Sequence, residues 1–453
     1  MRAIIKVERG DDYAKRHLTL VQWRCTRARL RLTRFSLSTP IVVCITAALT
    51  FLLIVSNSKS AFTRVANDPE HRKYKARESR DWLFKYEAKH AFDLKRLRKG
   101  ESVKVLVYTC HGGCGGLGDR LSGMLSAFYV AVATERLFLI DHTTPVHLNI
   151  TLLPANINWN AEYLVGTAGG VTINLVDTGD PMRSFAGLFK AHDQDVQILR
   201  LQINRFYVGI ALWTPKIEGL PLESEYRYVG RMYELNGHHA LETKEVFHIA
   251  FRALFVYSAA VVKRAGEMMT EMGLENFESS AYVGVHARMG GGSQSSAGAV
   301  AWEDPQRHSL QDANDFIACA RSKFSQSSPA IKARGDAPIL VFSDSIDFKK
   351  LAAEIDPNVR YVKSTVLFHI DRSTANHRLV RQGNVDTYAE LYILSRAKCV
   401  VGSSSTFSAI AATTSHNAYD KMRCYCIFQS CELDRVDFFE DTERSKVVFQ
   451  VGV

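Results

Sequence analysis

Three short stretches of this sequence combine residue types that could bind an anionic ligand. The first, "CHGGCGGLGDR", carries Gly113, Gly115 and Gly118 in the pattern G-x-G-x-x-G. Glycines allow the tight turn that leads from a strand into a helix, and the N–H groups at the start of a helix can bind a phosphate. The pattern predicts a strand, a turn and a helix, with the turn open to a phosphate.

The second stretch, "YVGVHARMGGG", places His286 and Arg288 on the same side of a strand that ends in glycines. In open parallel sheets, ligands bind beyond the carboxyl ends of the strands. A guanidinium at that edge can bind a phosphate through two parallel hydrogen bonds. An arginine at a strand end is also a common surface salt-bridge partner, so both interpretations stay open.

The third stretch is "KCVVGSSSTFSAIAA", a strand followed by hydroxyl residues and an apolar helix. The hydroxyls of Ser403, Ser404, Ser405 and Thr406 could cap the helix or bind a phosphate together with its first N–H groups. Asp344, at the end of the strand "PILVFSD", could contact the same ligand or cap the helix that follows it.

The glycine loop alone also fits a dinucleotide site. In that interpretation Asp141, at the end of the next strand "LFLID", would accept a hydrogen bond from the ribose 2′-hydroxyl, and the protein would be an NAD(P) oxidoreductase. A closely packed turn without any ligand produces the same pattern. The loop by itself is therefore a weak indicator of function.

Strand and helix patterns that could position these stretches alternate along the chain in two runs. From about residue 103, "VKVLVY", a helix with Leu121, Leu125 and Phe128 at helical spacing, and "LFLID" form one βαβ unit. From about residue 281, four further apolar strands alternate with helices. Such alternation favours parallel sheets that are covered on both faces. We therefore predict an α/β fold with two Rossmann-like domains that face a cleft.

The N-terminal region indicates attachment to a membrane. Residues 1–39 hold ten Lys/Arg and three acidic residues, which account for +7 of the net charge of +10 and leave +3 for the rest of the chain. The charge therefore does not indicate nucleic-acid binding. The uncharged run "PIVVCITAALTFLLIV" follows and could span a thin bilayer, with its basic flank on the cytoplasmic side. A buried core helix is the alternative.

Composition and patterning divide the chain into seven segments. These are a basic cytoplasmic tail (1–39), a transmembrane signal anchor (40–56), a stem (57–100), a first Rossmann-like domain (101–245), connecting helices (246–280), a second Rossmann-like domain (281–435) and a C-terminal tail (436–453). Within the connecting segment, "VFHIAFRALFVYSAAVV" is interrupted by His248 and Arg252 and is predicted to be one buried amphipathic helix.

Seven of the nine cysteines lie beyond the predicted anchor, where a lumenal location would permit disulfides. Their pairing stays open. Cys110 and Cys114 are one residue too far apart for the usual C-x-x-C pair, and no histidines at zinc spacing accompany them, so we predict no metal site. "LNIT" makes Asn149 a candidate glycosylation site. Trp159, in the loops between 142 and 240, could stack on a sugar or fill the core.

Together, "GGLGDRLSGMLSAF", "VHARMG" and "ELYILSRAKCVVGSSSTFSAIA" resemble the fucosyltransferase superfamily, which groups α-1,2-, α-1,6- and protein O-fucosyltransferases. The plant xyloglucan-type branch and its algal and protist relatives are the most similar. The resemblance covers residues 103 to 412. It implies a GT-B fold and a type II Golgi membrane enzyme that transfers L-fucose from GDP-fucose to a glycan or glycoprotein, with inversion and without an obligatory cofactor. Use of another GDP-sugar and an inactive glycan-binding relative are the alternatives.

The resemblance also implies roles for individual residues. Arg288 would neutralise the diphosphate leaving group, His286 would help to hold the donor, and Glu390 would hydrogen-bond to the nucleoside. The other residues predicted to lie in the donor site or along the cleft are Asp344, Ser405, Thr406, Phe407, Gly116, Gly118, Asp119 and Arg120.

The sequence departs from the family pattern at two positions. Gly291 stands where many relatives carry Asp, and Glu390 replaces the more usual Asp. An inverting transfer needs a base for the proton of the acceptor hydroxyl. We predict Asp119 for this role, and the other candidates are Glu303, Asp304 and Asp371.

Overall fold

In the computed structural model of this chain, the described residues are 81–110, 113–164, 170–174, 196–204, 243–274, 281–290, 305–327, 337–363, 377–414 and 424–427. They all belong to one compact unit, Ser79–Val453.

Helices and strands alternate through most of this unit. The strands are β1 (Val105–Thr109), β2 (Leu137–Asp141), β3 (Leu152–Pro154), β4 (Val171–Asn174), β5 (Ile198–Gln202), β6 (Phe255–Tyr257), β7 (Val283–Ala287), β8 (Ile339–Ser343), β9 (Val359–Arg360), β10 (Cys399–Gly402) and β11 (Cys424–Ile427). The α-helices are α1 (Asp81–Arg98), α2 (Leu117–Ala133), α3 (Thr243–Leu254), α4 (Ala259–Glu271), α5 (Ala313–Ser327), α6 (Ile346–Ile355), α7 (His377–Leu394) and α8 (Thr406–Thr413).

The first sheet has the strand order β2-β1-β5-β4, and all of its pairs are parallel. β1 is buried along its whole length, as expected for a parallel strand that is covered on both faces. The helix α2 that follows it is buried on almost every side, because its residues are nearly all apolar or small. A Cβ at Gly123 would lie 1.9 Å from the carbonyl oxygen of Ile203, so glycine is needed where α2 crosses the end of β5.

The second sheet has the order β11-β10-β7-β8-β9, again with every pair parallel. β7 comes first in the chain, β8 and β9 follow on one side of it, and β10 and β11 lie on the other. The order therefore reverses between β7 and β10, which is the switch point where doubly wound sheets bind their ligands. The predicted α/β fold with parallel sheets is confirmed.

The connection between the two sheets differs from the prediction. Residues 246–262 do not form one helix: α3 ends at Leu254, and the strand β6 pairs antiparallel with β3. Ser258 then starts α4 by accepting a hydrogen bond from the backbone N–H of Val261 at 3.3 Å. The aromatic and β-branched residues of β6 suit a strand as well as a helix, and the neighbouring β3 decides between them.

The stem prediction is wrong over its second half. α1, which covers most of the C-terminal half of the predicted stem 57–100, packs against the first sheet with Leu83, Tyr86 and Leu94 buried. The hydroxyl of Tyr86 donates to the carbonyl oxygen of Arg136 at 2.8 Å, and His90 Nε2 lies 2.8 Å from the carbonyl oxygen of Phe138. The helix carries enough apolar residues on one face to join the core, although its overall composition is charged.

The predicted tail 1–39 and anchor 40–56 lie outside the described residues, as do residues 57–80. Among the helices of the described residues, none is long and apolar enough to cross a membrane. The described part of the chain does not test the boundaries of the two predicted domains, which stay predictions.

Candidate functional site

The carboxyl ends of β7 and β10 bring two of the three predicted stretches together. The backbone N–H of Ser403, just after β10, donates to the carbonyl oxygen of His286 at 2.9 Å. In return, Ser403 Oγ accepts a hydrogen bond of 3.0 Å from the backbone N–H of Arg288. The first bond continues the parallel ladder beyond the strands and the second ties the backbone of Arg288 to the Ser403 side chain, so Arg288 is fixed at the switch point of the second sheet.

Arg288 lies in a preformed ion pair. Its Nη1 is 3.1 Å from Oδ2 of Asp344, and the two side chains are 23% and 25% exposed. The Asp344 carboxylate also accepts hydrogen bonds from the backbone N–H groups of Met289 at 2.7 Å and Gly290 at 3.2 Å. Asp344 therefore orders the turn after β7 and orients the guanidinium, which remains accessible to a ligand.

The predicted capping role of Asp344 belongs instead to its neighbour. Ser345 is the N-cap of α6, and its side chain accepts from the backbone N–H of Phe348 at 3.2 Å. Asp344, which directly follows β8, instead contacts the residues that follow the neighbouring strand β7. Whether it also contacts a donor stays a prediction.

His286 is buried below Arg288 and contacts α8. Its Nδ1 lies 2.6 Å from Ser408 Oγ, and its ring centre is 4.7 Å from that of Phe407. Burial, with smaller contributions from Arg288 and Lys349, lowers the pKa of His286 to about 3. A neutral imidazole carries no charge to offset that of a phosphate, and its contacts with Ser408 and Phe407 connect it to α8.

The first turn of α8 holds the remaining residues of the third stretch. Ser405 is the N-cap, and its side chain accepts from the backbone N–H of Phe407 at 3.3 Å. Thr406 Oγ1 donates to Oδ1 of Asp119 at 3.1 Å. Capping, the ordinary interpretation of these hydroxyls, thus applies to Ser405, whereas Thr406 links α8 to the glycine loop.

The glycine loop reaches the same place from the first sheet. Gly113 and Gly115 have positive φ values of 66° and 78°, which glycine adopts at little cost. Oδ2 of Asp119 accepts from the backbone N–H of Gly116 at 3.0 Å. A Cβ at Gly118 would lie 2.8 Å from the backbone of α8, so this glycine is needed for a close approach of α2 to α8.

Arg120 does not line a cleft: its side chain is buried and only 1% of the residue is exposed. It donates to the carbonyl oxygens of Gly115 at 3.1 Å and Thr144 at 2.9 Å, and its Nη1 lies 3.0 Å from His142 Nε2. A long polar side chain can be buried when its donors are satisfied in this way. Arg120 therefore holds the glycine loop in shape.

A disulfide between Cys110 and Cys114 closes the same loop. Cys319 and Cys399, both buried, are disulfide-bonded as well. The sequence left the pairing open. Disulfides form in oxidising compartments such as the secretory pathway.

Glu390 lies on α7 and is half-buried. Burial raises the pKa of Glu390 to about 7, and the ammonium of Lys349 opposes this shift. Lys349, on α6, is 2% exposed and acts on His286 as well. The buried side chain of Lys349 therefore influences both His286 and Glu390, the carboxyl group that the family resemblance assigns to the nucleoside.

Sequence reasoning missed Lys349 and Ser408. Lys349 directly follows Phe348 on the buried face of α6, so helical periodicity could have indicated it, although lysines are most often exposed. Ser408 sits in an apolar helix, where no local pattern predicts a histidine partner 122 residues away.

Several predicted residues lie elsewhere. Asn149 is exposed in a short 3-10 helix, which suits a glycosylation site, and Trp159 is buried with its indole N–H donating to the carbonyl oxygen of Leu254 at 2.7 Å. Trp159 therefore fills the core. Within the described ranges, no cluster of three His, Cys, Asp or Glu side chains could hold a metal ion. Four of the residues singled out in the sequence lie outside the described part of the chain: Glu303, Asp304, Asp371 and Gly291.

Comparisons with known proteins find similar solved structures at low sequence identity. A mutant of Arabidopsis thaliana FUT1 in complex with GDP is 17% identical, with a TM-score of 0.46 over 74% of this chain and 76% of that chain. The fucosyltransferase NodZ from Bradyrhizobium is 13% identical, with a TM-score of 0.40 over 68% and 92% of the two chains. POFUT1 in complex with GDP is 12% identical, with a TM-score of 0.35 over 72% and 98%.

These solved structures are of fucosyltransferases, the superfamily that the three sequence motifs resemble. At such low identity and TM-score the similarity assigns neither a family nor an activity to this chain. No protein-family model matches the sequence. No curated protein matches it either.

Proposed function

We propose that this protein is a glycosyltransferase that moves L-fucose from GDP-fucose to a glycan or glycoprotein acceptor. The observation that carries the proposal is the meeting of three motifs, far apart in the sequence, at the switch point of the second sheet. Arg288 directly follows β7, Thr406 begins α8, and Asp119 lies in the first turn of α2, just after the glycine loop. A shared site explains why these motifs occur together.

Arg288 is the residue on which the chemistry depends. The acceptor hydroxyl oxygen attacks C1 of fucose, the bond from C1 to the β-phosphate oxygen breaks, and its electron pair leaves with GDP. Attack from the opposite face inverts C1, and the hydroxyl proton leaves to a base. The guanidinium, held in place by Asp344, would stabilise the charge that develops on the diphosphate. Because Arg288 is already oriented, little reorganisation is needed in the transition state.

The dinucleotide alternative is supported less well. In such a site the pyrophosphate binds the N–H groups where the helix after the glycine loop begins. Here the carboxylate of Asp119 already accepts the N–H of Gly116, and α8 packs against Gly118. A phosphate would have to displace the protein's own anion. We therefore assign the glycine loop to the interface with α8.

We also propose a Golgi location with type II topology. The basic tail, the apolar run 40–56 and the disulfides support it. The tripeptide at exposed Asn149 would then face the lumen, where glycosylation takes place.

A transfer assay tests the activity. The purified full-length chain is incubated with labelled GDP-fucose, GDP-mannose or UDP-galactose and a panel of plant and animal glycans, and labelled products are separated by chromatography. Fucose transfer to at least one glycan is expected. Transfer from GDP-mannose alone would establish the alternative GDP-sugar. GDP binding without transfer or donor hydrolysis would favour an inactive glycan-binding relative.

A further inference from the structure

The N-terminal ends of α2 and α8 meet beside the candidate donor site. At Gly118, a Cβ would lie 2.8 Å from the backbone nitrogen of Phe407 and 2.8 Å from the carbonyl carbon of Thr406. Each helix end carries a partial positive charge from its exposed N–H groups. Two such ends in contact repel each other unless a negative group lies between them.

Asp119 supplies that negative group. Its Oδ2 accepts the backbone N–H of Gly116 at the start of α2, and its Oδ1 accepts the hydroxyl of Thr406 at the start of α8. Each carboxylate oxygen thus accepts a hydrogen bond, one from the start of α2 and the other from the start of α8. Thr406 and Asp119 are 287 residues apart, so the bond joins the two halves of the folded unit.

The second sheet holds the same helical turn from below. His286 contacts Ser408 and the ring of Phe407, and Ser405 caps the turn. The first half of α8 is therefore contacted by His286 from β7 and by Asp119 from α2. If the bond to Asp119 is removed, His286 and the cap remain, but they do not fix the Thr406 side chain.

We propose that Asp119 is a positioning residue that holds Thr406 and the first turn of α8 in the geometry that binds the donor diphosphate, and not the base that takes the acceptor proton. This inference rests on the proposed function. It predicts that Asp119 acts on nucleotide binding through Thr406. A base, in contrast, would act on turnover and leave nucleotide binding unchanged.

A double-mutant cycle tests the coupling. GDP binding to the full-length chain is measured by calorimetry for Asp119→Ala, Thr406→Val, the double variant and Thr406→Ser. A hydrogen bond to a charged group is worth about a factor of ten or more in an equilibrium. We expect each single variant to bind GDP about tenfold more weakly. The double variant should be no weaker than the singles, and Thr406→Ser, which keeps the hydroxyl, should stay within about twofold of wild type.

Thr413→Val is the matched control. Thr413 lies at the other end of α8 and its hydroxyl bonds only within the helix, to the carbonyl oxygens of Ala409 and Ile410. GDP binding should not change. Thermal unfolding of each variant checks its fold, and Asp119→Asn, which keeps one acceptor oxygen, replaces Asp119→Ala if the alanine variant does not fold.

Two results would overturn the inference. If the losses multiply to about a hundredfold in the double variant, Asp119 and Thr406 act independently. If Asp119→Asn binds GDP as wild type does but loses turnover and the acid limb of its pH profile, Asp119 is the base. A wild-type chain that binds no GDP would instead refute the proposed function.

Discussion

At the scale of single residues, the site is built from side chains that are already committed to protein contacts. Asp344 forms an ion pair with Arg288. Hydrogen bonds join Asp119 to Thr406 and Ser408 to His286. Such contacts reduce the freedom of the groups that a ligand would meet, and this preorganisation favours binding. Arg288 is the member of the set that combines a positive charge with partial exposure.

The buried histidines predict how stability depends on pH. Burial, assisted by Arg120 for His142 and by Arg288 for His286, lowers the pKa of both side chains to about 3, against an ordinary value near 6.5. The unfolded chain binds these protons first as the pH falls. The contribution of these two histidines to the free energy of unfolding should therefore be constant above about pH 6.5 and decrease below it, by at most about 1.4 kcal/mol per pH unit for each histidine. Glu390, whose pKa is raised to about 7, makes a contribution of the opposite sign.

Urea unfolding of the full-length chain at pH 7.5 and pH 5 measures this effect. His286→Asn, whose amide can still bond to Ser408, should show a smaller loss on acidification than wild type. His377→Asn, at an exposed position, is the control and should match wild type. An unchanged loss in His286→Asn would show that His286 is protonated in the folded chain.

At the scale of elements, the contact between α2 and α8 is the junction on which the site depends. We expect Gly118→Ala to push the helices apart, because its methyl group would meet backbone atoms at 2.8 Å that cannot rotate away. Overpacking of this kind costs about 1–3 kcal/mol. Transfer activity should fall at least tenfold as the bond between Asp119 and Thr406 is lost.

Gly266→Ala is the matched control for this substitution. Gly266 lies on α4, and apart from its chain neighbours and the backbone of its own helix no atom lies within 4 Å of the position that the alanine methyl group would take. The helix should therefore become more stable by up to about 1 kcal/mol, and activity should not change. Full activity in Gly118→Ala would contradict the importance of the junction.

The elements differ in how far the sequence could predict them. β1, β7 and β8 are buried throughout, and their continuous apolar runs predicted them directly. Residues 246–262 could not be assigned locally, because apolar residues suit a helix and a strand, and the pairing of β6 with β3 is a long-range contact. The bond between Asp119 and Thr406 has no local signal, although both residues lie in motifs that the sequence indicated.

At the scale of the whole molecule, the folded unit begins with α1 and not after it. Leu83, Tyr86 and Leu94 bury their side chains against the first sheet, and a fully buried side chain of this size contributes roughly 1.5–3 kcal/mol. The charged composition of residues 57–100 concealed this apolar face, which is why that region resembles a stem. The part that could separate the fold from a membrane is therefore shorter than predicted.

Truncation tests the start of the unit. A chain that begins at residue 79 should unfold at the same temperature as the full-length chain, because Ser79 is the first residue of the compact unit. A chain that begins at residue 101 should unfold at a much lower temperature or fail to fold. Equal unfolding temperatures for the two truncated chains would mean that α1 contributes no stability.

Calorimetric binding of GDP to the full-length chain tests the assignment of Arg288 to a GDP-sugar site, with UDP and NAD as competing ligands. Arg288→Ala removes the proposed diphosphate contact, and Arg360→Ala is the control, since Arg360 is exposed and pairs with Leu340 near the amino end of β8, away from the site. We predict that GDP binds selectively, that Arg288→Ala abolishes binding and that Arg360→Ala does not. Binding of NAD without GDP, or equal GDP binding in Arg288→Ala and wild type, would contradict the account.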